Sequence, residues 1–249
     1  SLKPNEDRCA MICEMSLGRD GKRGKYKFYS GLIKSKARLT YNQVEKHLQG
    51  SSKIELPQAR DSINDLNELT NLRLIHRNKR KALEINPKEI SLELNKNKEV
   101  KNILVKKSLF AHRLVEESML LANESAAEFM QDRLNLGVYR VHEDPDASKL
   151  ELLKKHFHIP AQISKKLSPL EVINSCLLQA NKKNDDIGKI LVLQTLARAE
   201  YSTNNLGHFG LQLQRYAHFT SPIRRYPDLL VHRLISSYLA HKKPNRTEN

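Results

Sequence analysis

The chain has 249 residues, 39% hydrophobic and 29% charged, with 43 basic against 28 acidic side chains and a net charge of +15. That length supports a buried core in one large domain or two small ones, and the cation excess points to a polyanionic partner, nucleic acid first. No apolar run reaches membrane-spanning length, no signal peptide opens the chain, and the three sparse cysteines make no disulfide framework, so a cytoplasmic protein without membrane contact is expected.

Cys9 to Leu17 alternates and predicts a strand, with Cys9, Cys13, Met11 and Met15 on one face toward the core. The turn from Gly18 to Gly24 leads into a second alternating run through Tyr26, Phe28 and Leu32, which makes a β-hairpin. Thr40 caps a short helix carrying Val44 and Leu48 and ending at Gly50; Tyr41 stands at its exposed start, either as a core edge or as a stacking surface for a base. A second helix follows Pro57, with Ile63, Leu66, Leu69 and Leu74 near helical spacing, and closes on the basic run from His76 to Lys81. That run reads as a solvated face that also suits nucleic acid.

Lys81–Ile85, Ile90–Leu94 and Val100–Val105 alternate around turns at Pro87 and at Asn95 to Lys98, and predict edge strands of one sheet. Ser108 to Met130 predicts a long, largely buried helix with a wide apolar surface. His112, Glu116 and Asn123 lie along one line of it. They either face a wet cavity or are satisfied within the helix by the pairs His112–Glu116 and Arg113–Glu117. A short strand at Val138–His142 follows, then a helix from Ala147 to Phe157. Ser168 to Glu171 is a capping box, and the cap at Asn184 to Asp186 starts a helix running to about Ala199. Leu230, Leu234, Ile235 and Leu239 give the last helix an apolar face, with Pro227 kinking it or splitting off its first turn.

The stretch from Tyr216 to Asp228 organises the rest. An alternating run from Leu211 reads as a strand end, Ser221 as an N-cap and Pro222 as the first helical residue. Arg224 and Arg225 then sit at the positive end of a helix, which is unfavourable unless an anion compensates. Free N–H groups plus two guanidinium forks suit a phosphate; pairing of the arginines with carboxylates of the fold explains them equally well.

Residues 207–233, from Gly207-His208-Phe209-Gly210 through Thr220-Ser221-Pro222-Ile223-Arg224-Arg225-Tyr226-Pro227-Asp228 to His232-Arg233, resemble the signature of the RNase II/RNase R exoribonucleases, on the RNase R side. The resemblance extends through Cys9 to Met15, Lys36 to Tyr41 and His112-Arg113-Leu114-Val115-Glu116-Glu117-Ser118-Met119. It implies an α+β catalytic RNB domain, with mixed or antiparallel sheet and packed helices, over residues 1–241, ahead of a polar, basic tail at 242–249. It implies a monomer that degrades single-stranded RNA from the 3′ end to nucleoside 5′-monophosphates with Mg²⁺ and no small-molecule cofactor. Arg224 then corresponds to the arginine at the scissile phosphate, Tyr41 and Glu116 to residues packing the last nucleotides, and Ser221 and Arg225 to neighbouring RNA contacts. Tyr41, Glu116 and Arg224 are expected to open onto one groove.

One departure matters. The family's Mg²⁺ ligands are an aspartate cluster ending in Asp-Asp-Ala, and no such cluster occurs here; Asp185 and Asp186 belong to a helix cap. Two-metal chemistry needs converging carboxylates, so no metal ligands are assigned in this chain. The expectation is a partial RNB domain that binds RNA without cutting it. The alternative is a non-catalytic single-stranded RNA-binding module on the same fold. Gly-x-Ser-x-Gly, His-Glu-x-x-His and phosphate-loop motifs are absent, which removes support for a serine hydrolase, a zinc enzyme or a nucleotide-cradling loop.

Overall fold

The computed structural model describes residues 2–85, 89–95, 97–106 and 108–240. The turn at Pro87 and the tail at 242–249 fall outside them.

The hairpin forms as expected: β1 (Asp7–Leu17) pairs antiparallel with β2 (Arg23–Lys34). Met11, Cys13, Met15, Tyr26 and Phe28 turn toward the main core. One expected inward residue does not follow: Cys9 is exposed, opposite the exposed Leu32 across the ladder. Gly21 (φ +76°) lets the hairpin turn rest on the second helix. A Cβ there would lie 2.2 Å from the Leu72 carbonyl oxygen.

Helix α1 (Tyr41–Leu48) starts with a capping box: the Thr40 hydroxyl accepts from the Gln43 N–H at 3.3 Å, and Gln43 reaches back to the Thr40 N–H at 2.8 Å. Helix α2 (Pro57–Lys79) packs Ile63 and Leu66 against Val44, Ala111 and Leu114, and its buried side chains are the polar Thr70, Arg73 and Arg77. Lys81–Ile85 is not a strand. Lys81 is left-handed (φ 57°), and a bond from the Leu83 N–H to the Gly210 carbonyl pins the segment. Strands β3 (Glu89–Leu94) and β4 (Val100–Lys106) make their own antiparallel pair.

Helix α3 (Phe110–Phe129) is the central buried helix, continued by a π-helical turn at Met130–Leu134. Its start is fixed from outside, as the Ala111 N–H donates to Glu45 of α1 at 2.8 Å. Strand β5 (Tyr139–Val141) pairs antiparallel with β6 (Glu200–Ser202). Between them come α4 (Ala147–His156), α5 (Ala161–Ser164), α6 (Pro169–Lys183) and α7 (Asp186–Thr195), which enclose a second core around Ile173, Cys176 and Val192. The α6 capping box is formed, and Asp185 caps α7. Helix α7 stops four residues before Ala199, where Leu196 turns extended. Helix α8 (Tyr226–Leu239) buries Leu230 and packs Val231, Leu234 and Ile235 against α3 and the hairpin. The fold is α+β, its sheet being three separate two-stranded antiparallel pairs among the described residues.

Candidate RNA-binding surface along helix α3

The segment expected to be a strand from Leu211 is irregular. Gln212 is left-handed (φ 53°), Leu213 bridges back to His208, and the Tyr216 carbonyl accepts from the Arg140 N–H, but no strand forms. Asn123 of α3 holds the residues that follow. Its side-chain oxygen accepts from the N–H groups of Phe219 (2.9 Å) and Thr220 (3.3 Å), and its amide donates to the Tyr216 hydroxyl at 3.0 Å. A buried polar residue on α3 is thus satisfied by the signature segment.

Ser221 is not the N-cap of α8. Residues 222–224 make a separate turn, Arg225 is extended (φ −131°, ψ 118°), and Pro227 rather than Pro222 occupies the opening turn of the helix. Asp228 causes this. Its carboxylate is wholly buried and accepts from the Ser221 N–H at 2.8 Å and from Arg225 Nε and Nη2, each at 2.8 Å. The compensating anion is therefore part of the fold for Arg225, and the Ser221 N–H is committed to the same carboxylate. Arg224 differs: it is exposed, and its one described side-chain contact is the Ser221 hydroxyl at 3.5 Å. It stands beside Ile223 and Tyr226, both well exposed.

At the opposite end of α3, the Tyr41 ring stacks on His112 at 4.1 Å between centroids and 22° between planes, and remains 46% exposed. His112 does not pair with Glu116. Its Nδ1 accepts from the Leu109 N–H at 3.1 Å. Glu116 lies one turn further on and is held by Arg77 at 2.8 Å and Arg113 at 3.0 Å. Its side chain stays 40% exposed, and a carboxylate has acceptor positions to spare. Arg113 reaches Glu116 and Glu84 rather than Glu117. Glu117 is wholly buried and pairs with Arg73 and Arg77 of α2. The basic run at the end of α2 is thus only partly solvated, since Arg77 turns inward and Arg80 donates to the Leu211 carbonyl at 3.0 Å.

Glu116, Arg77, Arg113, His142 and His208 help line a cleft of about 330 Å³. Tyr41 and Arg224 do not line it. Tyr41, Glu116 and Arg224 are all open to solvent. Tyr41, His112 and Glu116 cluster at the start of α3, while Asn123 ties the signature segment about 16 Å further along the axis (eleven residues). His112 as the stacking partner of Tyr41 was not assigned from sequence; its place one turn before Glu116 was the available signal.

Four histidines lie near the signature segment, and His232 stacks on Phe219 at 4.4 Å between centroids. The His142 and His208 rings are 4.9 Å apart, and Tyr216 contacts both His208 and His218. Burial above all, with nearby cations, pushes His208 and His218 down to about 4. Both rings are therefore neutral at pH 7. Among the described residues, no group of three or more His, Cys, Asp or Glu side chains is arranged to hold a metal ion. The carboxylates nearest the site, Glu116, Glu117 and Asp228, face arginines.

The RNB domain family model matches residues 1–241. The chain belongs to the RNB family. It is 38% identical over 250 residues to ribonuclease R of Thermotoga maritima, covering 96% of this chain and 34% of that protein. It is similar to Mycoplasma genitalium RNase R in complex with ribose-methylated single-stranded RNA (33% identity, TM-score 0.86, 96% of this chain and 38% of that one). It is also similar to the same enzyme in complex with double-stranded RNA (30% identity, TM-score 0.85, 96% and 43%). The chain spans about a third of the length of the curated relatives it matches. No helix among the described residues is long and apolar enough to cross a membrane.

Proposed function

We propose that this chain is the RNA-holding part of a processive 3′→5′ exoribonuclease that hydrolyses single-stranded RNA to nucleoside 5′-monophosphates. The observation that carries this is the division of labour along α3. One end offers an exposed stacked aromatic pair, Tyr41 on His112, beside the Glu116 acceptor. The other end offers Arg224, the exposed arginine of a turn whose second arginine is already neutralised. A base stacks on Tyr41, and stacking of this kind is worth about 1–3 kcal/mol per base. Glu116 accepts from a sugar hydroxyl, which favours RNA over DNA. Arg224 donates to the phosphate that is to be cut, where a two-pronged fork serves better than a point charge.

RNB membership, relatives named ribonuclease R and the RNA-bound RNase R structures support the reading. Mg²⁺ would supply an activated water and charge neutralisation at the phosphate. Under this proposal its carboxylates come from sequence beyond these 249 residues. The same reading gives a cytoplasmic monomer with no small-molecule cofactor.

The second reading, a non-catalytic RNA-binding module, is favoured by the missing ligand cluster among the described residues. The 249-residue chain should bind single-stranded RNA, with affinity falling as salt is added, and should bind the same deoxyribonucleotide sequence more weakly. It should release no nucleotides with Mg²⁺. Absence of RNA binding would contradict both readings, and Mg²⁺-dependent release of monophosphates would contradict the placement of the ligands outside the chain. A nuclease assay of the full-length parent separates the enzyme from the binding module.

A further inference from the structure

Strands β5 and β6 place Arg140 directly opposite Tyr201. The Arg140 guanidinium lies over the Tyr201 ring, 4.8 Å from its centroid. The Tyr201 hydroxyl is 2.8 Å from Nδ1 of His218, and the ring is 40% exposed. The Arg140 N–H donates to the Tyr216 carbonyl at 2.8 Å, which fastens this ladder to the signature segment two residues before His218. His218 also lies within electrostatic reach of Arg224, Arg225 and Asp228. Three separate stretches of chain therefore meet beside the Arg224 turn.

The Tyr201 hydroxyl can donate to Nδ1, the direction that the proposal below takes. The imidazole then carries its own proton on Nε2. That nitrogen has no partner among the described residues and is not among the buried unpartnered atoms. Arg140 forms no ion pair among the described residues, and Arg224 has the contact to Ser221 alone. His218 lies within electrostatic reach of both guanidiniums, neither of which forms an ion pair among the described residues, and phosphate oxygens would supply acceptors in a charge-assisted geometry.

We infer that Arg140 and His218 hold a phosphate of the RNA backbone next to the one held by Arg224, with Tyr201 as the positioning residue that fixes the His218 tautomer. This rests on the RNA-binding reading above. The test is binding of a fluorescein-labelled single-stranded oligoribonucleotide to the 249-residue chain in EDTA, across a salt series. Arg140→Ala should weaken binding and make the log–log salt slope shallower by about 0.7, the share of one phosphate on a single strand. Arg140→Lys should keep that slope. Tyr201→Phe keeps the ring under Arg140 and should weaken binding by roughly two- to fivefold, the worth of one hydrogen bond. Imidazole ¹⁵N spectra should show His218 protonated on Nε2 in the unaltered chain, with the Nε2 resonance shifted by RNA, which a purely structural tyrosine–histidine pair would not show. Urea unfolding identifies variants that remain folded. If folded Arg140→Ala and Tyr201→Phe bind with unchanged affinity and slope while Arg224→Ala weakens binding, this site is overturned and the RNA reading stands. If the unaltered chain binds no RNA, the reading falls and the site with it.

Discussion

Two adjacent arginines in one turn have opposite circumstances, and the difference lies in a single carboxylate. Asp228 is wholly buried and takes both forks of Arg225 as well as the Ser221 N–H. Removing one partner of a buried pair leaves the other uncompensated, which typically costs about 3–5 kcal/mol. Asp228→Ala should therefore lower unfolding free energy by about that much, measured by urea denaturation, and Arg225→Ala by less because its side chain is 24% exposed. Arg224→Ala should stay within about 0.5 kcal/mol of the unaltered chain, as an exposed substitution does, while weakening RNA binding. Equal destabilisation by Arg224→Ala and Arg225→Ala would remove the distinction. Which arginine is free was not legible in the sequence. Pro222 and Pro227 both suit a helix start, and only the reach of Asp228 back to Ser221 selects the second.

At the scale of elements, the helices and the hairpin were legible where caps and periodicity agree, as at Thr40, Ser168 and Asp185. The failures share one physical cause, which is contact between distant segments. Lys81–Ile85 and the stretch from Leu211 alternate like strands, yet they bond to each other and to α3 through isolated contacts such as Leu83 to Gly210 and Asn123 to Phe219. Helix α2 shows the same effect. Its inward face carries Arg73 and Arg77, which look solvated in sequence, because the buried Glu117 of α3 stands opposite. Glu117→Ala should destabilise the chain by about 3–5 kcal/mol, since two buried guanidiniums lose their carboxylate. A change below about 1 kcal/mol in urea unfolding would show that Glu116 and Glu124 take over its role. Restoring the shape with Glu117→Gln should recover little, because an amide supplies no charge.

At the scale of the whole molecule, α3 is the axis. It anchors α1 at its start, α2 along its flank, and the signature segment at its far end. Tyr41 and Glu116 lie at its start, and Arg224 belongs to the signature turn that Asn123 ties to it further on; together they mark out a track along α3. Family membership was legible from the signature alone. The track was not, because its spacing depends on Asn123, His112 and the β5–β6 ladder, which are far apart in the chain. The proposed function gives the bound RNA a polarity, with its 3′ end at Tyr41 and Glu116 and a phosphate of the strand at Arg224. Photocrosslinking of the 249-residue chain in EDTA, using an oligoribonucleotide with 4-thiouridine at its 3′ terminus and mass-spectrometric mapping of the adducts, tests it directly. The 3′-terminal label should map to the neighbourhood of Tyr41, His112 and Glu116, and the same label at the 5′ terminus should not. A 5′-terminal label that maps there, or a 3′-terminal label confined to the β1–β2 hairpin, would contradict the account.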